Sequence, residues 1–350
     1  MGKNILVTGA NGHLGVNTVR ALLNKGHNVT AFVRKTSNLS GLKGLPLAYK
    51  YGDIQDVAAL KEAVKGCDII IHHAAVYKLW GKTVAEIMEP AIEGTRNLFS
   101  AATNAGIEKV IYTSSTTAVG VSTSPEQFLS EKDWNKSEMV PYYLAKTKAE
   151  ELAWELSSKY NIPMLVFCPS GILGRYDYNI TPTSRQILDM LRGRGLTVKG
   201  VFSFIDARDA GEIYALAVEK GYIGQRYILS NTGIKMQDVG KLVQALSGKL
   251  VPHLPFPRFV NISSAMMMEL VAKLTGWDPL FTAGVARELS HRYAQYDNSK
   301  TLKDFDYKLY TMEETMQDTI RWFSFIKKIK LKDGLKEQFQ PEAAWLESSR

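Results

Sequence analysis

Residues 4–26 read NILVTGANGHLGVNTVRALLNKG. An apolar run of strand length leads into an amphipathic run in which Val16, Val19, Leu22 and Leu23 share one helical face and Gly26 supplies the stop. The stretch between them, TGANGHLG, is a strand-to-helix turn. Gly9 permits the tight turn, Gly12 lets a ligand approach the backbone, and Gly15 lets the helix pack against the strand. The free N–H groups and positive dipole end of the helix then favour phosphate. Thr8, Gly9, Asn11, Gly12, His13, Leu14 and Gly15 are therefore candidates for holding the pyrophosphate of a dinucleotide.

The second strand reads HNVTAFVR. In dinucleotide-binding units, an acidic residue near the end of this strand takes the ribose hydroxyls of NAD, and an arginine there can take a 2′-phosphate instead. Here Ala31, Phe32 and Val33 are apolar, and Arg34 and Lys35 follow. A guanidinium fork matches a phosphate bidentately, and no carboxylate stands beside it. The expected cofactor is NADP(H), with NAD(H) still possible. On the other reading, Arg34 is a solvated loop charge.

KVIYTSSTTAVG (109–120) reads as the fifth strand, and FCP (167–169) closes the sixth. Ligands in open α/β sheets bind outside the carboxyl ends of the strands, which places Thr113 and Pro169 on the cofactor side and turns Ser114, Ser115 and Thr116 toward the site. In the helical run that begins PYYLAKTKAEELAW, Tyr142 and Lys146 are four residues apart and lie one turn from each other on one face. A phenol titrates near pH 10 and is a poor acid or base at neutrality. An ammonium one turn away favours the phenolate. Tyr143, three residues from Lys146, is expected to pack.

The Gly-x-x-Gly-x-x-Gly loop preceded by Thr8, together with Tyr142-x-x-x-Lys146, resembles the short-chain dehydrogenase/reductase superfamily, in its extended branch. That resemblance implies an α/β fold: a doubly wound parallel Rossmann sheet over residues 1–170, with a return segment near 201–232. A smaller C-terminal substrate-binding domain takes up most of 171–350. It implies Ser115, counted back from Gly120, as the hydroxyl that orients the substrate oxygen, Tyr142 as proton donor, and Lys146 as partner of the nicotinamide ribose. It implies adenine contacts for Asp53 and Ile54, although Asp53 could merely cap the following helix, where Asp56 is better placed. Ala74 and Ala75 match the small residues that pass beside the cofactor. The chemistry implied is hydride transfer between nicotinamide and a carbonyl carbon.

Within the branch, Pro90-Ala91-Ile92-Glu93-Gly94 resembles the Pro-x-x-x-Gly pattern of dihydroflavonol 4-reductases and cinnamoyl-CoA reductases. AAVYKLWGK and VRKTSNLSGL look like bacterial hopanoid-associated sugar epimerases or generic epimerase/dehydratases. The chain is most similar to bacterial dihydroflavonol 4-reductase-like proteins. A sugar-nucleotide epimerase that keeps NAD bound is the alternative. A non-catalytic nucleotide sensor is a third reading, opposed by the intact Ser115, Tyr142 and Lys146. Thr116 and Thr117 follow Ser115 where sugar dehydratases carry an acidic pair, so dehydration is disfavoured.

The 350 residues, 45% hydrophobic, suffice for one large domain or two smaller ones. No apolar stretch approaches a membrane span, and the N-terminus lacks a signal-peptide pattern. Cys67 and Cys168 lie far apart in apolar surroundings and read as buried thiols, and His72 and His73 have no metal-ligand company. A cytoplasmic enzyme without metal is expected. The net charge of +8 suits a polyanionic cofactor, and KKIKLKDGLK (327–336) reads as a solvated face. The expected partner is a small-molecule carbonyl or alcohol, apolar or aromatic if Val76, Tyr77 and Trp80 line its entrance. Neither nucleic acid nor a membrane is expected as partner, and the chain would be a monomer or homodimer. The Met-rich SSAMMMELVAKLTG reads as core, Asp209 as at least as good a helix cap as a functional residue, and Trp322 as packing the last helix.

Overall fold

Ile5 and Val7 point to one side of their strand and Leu6 to the other, and all three are fully buried. A strand apolar on both faces belongs in the middle of a covered sheet. That is where the computed structural model, which describes residues 2–73, 84–138, 140–193, 199–251, 256–276, 282–289 and 292–331, puts it. The first half runs β1 (Asn4–Thr8), α1 (His13–Asn24), β2 (Asn28–Val33), β3 (Ala48–Tyr51), α2 (Val57–Ala63), β4 (Ile69–His72), α3 (Val84–Ala102), β5 (Lys109–Thr113), α4 (Thr116–Val119), α5 (Pro141–Lys159) and β6 (Met164–Pro169). The second half runs β7 (Gly171–Leu173), α6 (Pro182–Leu191), β8 (Val201–Phe202), β9 (Phe204–Asp206), α7 (Ala207–Leu216), β10 (Arg226–Leu229), β11 (Ile234–Lys235), α8 (Met236–Ser247), α9 (Arg258–Thr275), α10 (Ala283–Leu289), α11 (Ser299–Phe305) and α12 (Met312–Phe325).

Seven strands form one sheet in the order β10-β6-β5-β4-β1-β2-β3, every pair parallel. The order reverses between β1 and β4, which opens a crevice at the carboxyl ends of those strands. This is the Rossmann-type doubly wound sheet expected. Its last strand comes from residues 226–229, inside the predicted return segment. Beside it lie the small pairs β7–β9 and β8–β11.

One core, with α1, α6, α7, α8 and α12, covers one face of the sheet. A second, with α2, α3 and α5, covers the other. Gly211 on α7 is held against α1, where a Cβ would stand 2.7 Å from the Asn17 carbonyl oxygen, so these helices meet backbone to backbone. Trp322 is fully buried on α12. Its Nε1 donates to the Asp177 carbonyl at 3.2 Å, and its ring meets Tyr176 and Tyr178 edge-on.

Three readings need correction. The fifth strand ends at Thr113, because Ser115 turns the chain and its Oγ accepts from the Thr117 N–H at 3.1 Å to start α4. The cap of α7 is Asp206, whose carboxylate accepts from Arg208 N at 2.8 Å, and not Asp209. The Met-rich run is not core: α9 buries Asn261, Ala265 and Ala272 and leaves Met266 and Met267 exposed.

Asp209 is fully buried and accepts from Tyr307 Oη and Tyr310 N, each at 3.0 Å. Burial, reinforced by Asp206, pushes its carboxyl up to about 7. An acid raised in the folded state binds its proton more tightly there than in the unfolded chain. Its contribution to stability is therefore present at acid pH and lost as pH rises from about 4 to 7. Unfolding free energies of wild type and Asp209→Asn, measured by urea titration from pH 4 to 8, should diverge across that window. The wild type should lose up to about 4 kcal/mol relative to the variant.

Candidate active site

The glycine loop sits at the crevice. Gly9 has φ +67°, a left-handed conformation open to glycine, and Gly12 N donates to the Gly9 carbonyl at 3.0 Å. A Cβ at Gly15 would come within 2.2 Å of that carbonyl oxygen, and one at Gly12 within 3.3 Å. Gly12 begins α1 with no side-chain cap, and no acidic residue stands in its first turn. A side chain on this cradle would fill it, and the uncapped helix end points its N–H groups outward, features that fit a pyrophosphate. Leu14 is buried below the loop, and Asn179 Nδ2 donates to the Asn11 carbonyl at 3.2 Å.

Two residues of the predicted loop set have their side chains engaged elsewhere. Thr8 Oγ1 is hydrogen-bonded to His72 Nδ1 at 2.8 Å. The His13 ring is buried, with Nε2 3.0 Å from the Arg175 carbonyl and Nδ1 3.6 Å from Asp177. His13 thus ties the loop to the segment that follows β7.

Arg34 and Lys35 stand exposed just past β2, and neither forms an ion pair among the described residues. Asp53 lies beyond the end of β3, where its carboxylate accepts from Gln55 N at 3.0 Å. Asp56 is the cap of α2, accepting from Ala58 N and Ala59 N. Ile54 packs on Gly94, where a Cβ would lie 2.6 Å from Ile54 Cδ1, which gives the glycine of Pro90-x-x-x-Gly94 a steric reason. Ala74 and Ala75, and with them Val76, Tyr77 and Trp80, lie outside the described residues.

On α5, Tyr142 and Lys146 are both turned into the protein. Lys146 Nζ donates to the Thr113 carbonyl at the end of β5, at 3.3 Å. Burial lowers its ammonium to about 8 against the pull of Glu150. Thr113 Oγ1 is hydrogen-bonded to Tyr214 Oη at 2.7 Å and to His73 Nδ1 at 2.8 Å. Burial lowers His72 and His73 to about 3, so both imidazoles are neutral. Ser115 follows two residues after Thr113. Thr116 Oγ1 reaches the Pro169 carbonyl at 3.5 Å, and Tyr143 is buried against Val140. Cys67 and Cys168 are free and buried. Among the described residues no cluster of His, Cys, Asp or Glu could hold a metal ion.

Ser114 departs from the expectation that it faces the site. Its hydroxyl donates to Glu150 Oε2 at 2.5 Å. Glu150, one turn beyond Lys146, is fully buried and paired with Arg226 Nε at 2.6 Å. Arg226 Nη1 also donates to the carbonyls of Glu131 and Asp133 at 2.7 and 2.8 Å, and its guanidinium stacks on Trp134. This cluster, which fixes Ser114 and with it the backbone at Ser115, was not identified from the sequence. The available signal was the third polar member of the series Tyr142, Lys146, Glu150 on one helical face.

The profile of the NAD dependent epimerase/dehydratase family matches residues 5–230. Sterol demethylase protein B of Methylococcus capsulatus is 33% identical over 72% of this chain and 77% of its own. A Synechocystis sp. protein provisionally named dihydroflavonol 4-reductase is 30% identical over 92% of this chain and 95% of its own. The crystal structure of gox2253 superposes with a TM-score of 0.82 at 31% identity, covering 94% of this chain and all of that one.

Removing one partner from a buried ion pair strands the other charge. Glu150→Gln should cost about 3–5 kcal/mol in urea unfolding. Glu150→Gln/Arg226→Met should recover part of that loss.

Proposed function

The chain belongs to the NAD-dependent epimerase/dehydratase family, the extended branch of the short-chain dehydrogenases/reductases, and within it we propose a reductase that uses NADP(H) to convert a ketone or aldehyde to the alcohol. The observation that carries this reading is the half-buried Lys146, whose ammonium is anchored on the end of β5 two residues before Ser115 and one turn from Tyr142. The likeness to the dihydroflavonol 4-reductase-type relative supports the carbonyl side of the proposal. The exposed Arg34 and Lys35 support the preference for a 2′-phosphate.

In this mechanism Ser115 donates a hydrogen bond to the substrate oxygen and Tyr142 hands it a proton. When bound, the nicotinamide supplies the hydride. Lys146 holds a positive charge one turn from the phenol and so stabilises the phenolate left behind. The neutral His72 and His73 add no competing charge. Thr113 holds Lys146 through its carbonyl while His73 and Tyr214 hold its hydroxyl. The loop from Gly9 to Gly15 would hold the pyrophosphate, with Asp53 and Ile54 beside the adenine.

Tyr142→Phe should lower kcat for NADPH-dependent reduction of a carbonyl panel by at least about 100-fold with unchanged NADPH affinity. Wild-type reduction should decline above about pH 8 as Lys146 loses its proton. A Tyr142→Phe enzyme that still turns over would overturn the mechanism. Arg34→Ala should weaken NADPH binding about tenfold or more and leave NADH nearly unchanged, read by fluorescence titration. Tightly retained NAD in the purified protein would instead favour an epimerase.

A further inference from the structure

An amphipathic helix on a protein normally buries its large apolar side chains. In α9 the arrangement is inverted. The buried residues are Asn261, Ala265 and Ala272, with Ala265 against Ala283 and Ala286 of α10. Phe259, Met266, Met267, Leu270, Val271 and Leu274 face outward, exposed from 44% at Val271 to 79% at Leu274. At about 3.6 residues per turn they form one stripe along the 18-residue helix, interrupted by Ser263. Its exposed apolar area is on the order of 700 Å², more than soluble monomers usually leave open. Leu250 and Phe256, just before the helix, are exposed as well.

The charges around the stripe separate the candidate occupants. Arg258 at the start of α9 and Lys273 in its last turn are exposed. Glu269, the carboxylate of this helix, is turned inward and accepts from Ala283 N at 2.8 Å. A two-fold contact with a second copy would bring cations onto cations, Arg258 opposite Lys273 if the helices run antiparallel and each opposite itself if they run parallel. An anionic bilayer satisfies both the stripe and its basic ends. We infer that the outward face of α9 docks the protein onto an anionic lipid surface. This departs from the expectation of no membrane partner, which rested on the lack of a spanning segment. Among the described residues no helix is long and apolar enough to cross a membrane, and a face of this kind lies on the bilayer. Methionines suit such a surface because their flexible thioethers adapt to a fluid partner.

The full chain should be sedimented with vesicles of phosphatidylcholine mixed with phosphatidylglycerol, and with vesicles of phosphatidylcholine alone. Wild type should partition at least about tenfold better onto the anionic vesicles, with the difference shrinking at high salt. Met267→Glu/Leu274→Glu should lose that binding by more than about tenfold while keeping its Tm and NADPH affinity. Wild type that stays in the supernatant, or a variant that binds as well as wild type, would overturn the inference. Wild type that ignores vesicles but forms a dimer split by the same variant would assign the face to a second copy.

Discussion

A carboxylate without access to solvent must be matched where it stands, and Glu150 is matched by Arg226 at 2.6 Å. Each partner is expensive to bury alone, so each fixes the other's element. Glu150 belongs to α5, the helix of Tyr142 and Lys146, and Arg226 begins β10, the last strand of the sheet. Ser114 and the carbonyls of Glu131 and Asp133 fill the remaining hydrogen-bonding positions. The pair adds little stability over a well-packed apolar cluster. It does set the register between the helix carrying the proposed proton donor and β10, and through Ser114 it ties that helix to the turn just past β5.

Around Lys146 the site is polar yet almost uncharged. Thr113, Ser115 and Tyr214 contribute hydroxyls, and His72 and His73 contribute imidazoles held neutral by burial. With the Glu150 carboxylate one turn away already matched by Arg226, the Lys146 ammonium acts more strongly on a neighbouring phenol in this low-dielectric setting than it would in water.

Features written as local patterns were legible in the sequence. The glycine spacing marks the turn because Gly9 and Gly15 answer to steric demands within a few residues of each other. The Tyr142–Lys146 spacing survives because helix geometry alone puts the two on one face. Features depending on distant partners stayed hidden. Nothing near His13 says that its ring is taken up by Arg175, 162 residues away. Ser114 and Ser115 are chemically alike, yet Ser114 is taken up by Glu150 and Ser115 caps the next helix, partners that the local sequence does not reveal. Asp206 and Asp209 flank the same helix start, and two tyrosine-bearing residues from the chain's last hundred draw Asp209 inward. The α9 run fails for another reason: hydrophobicity reports that a face wants cover, and not what will cover it.

The contact between α1 and α7 limits how freely the two halves of this chain can be exchanged. The helix that starts at the glycine loop is pressed against Gly211, and His13 and Asn17 grip the Arg175 carbonyl. A chimera that takes its second half from a relative would have to import a small residue at 211 and a compatible backbone at 175, or the glycine loop would shift with the graft. Recombination breakpoints at 170 or 200 cut through this clamp. Transplanting 1–24 together with 171–216 would keep it whole.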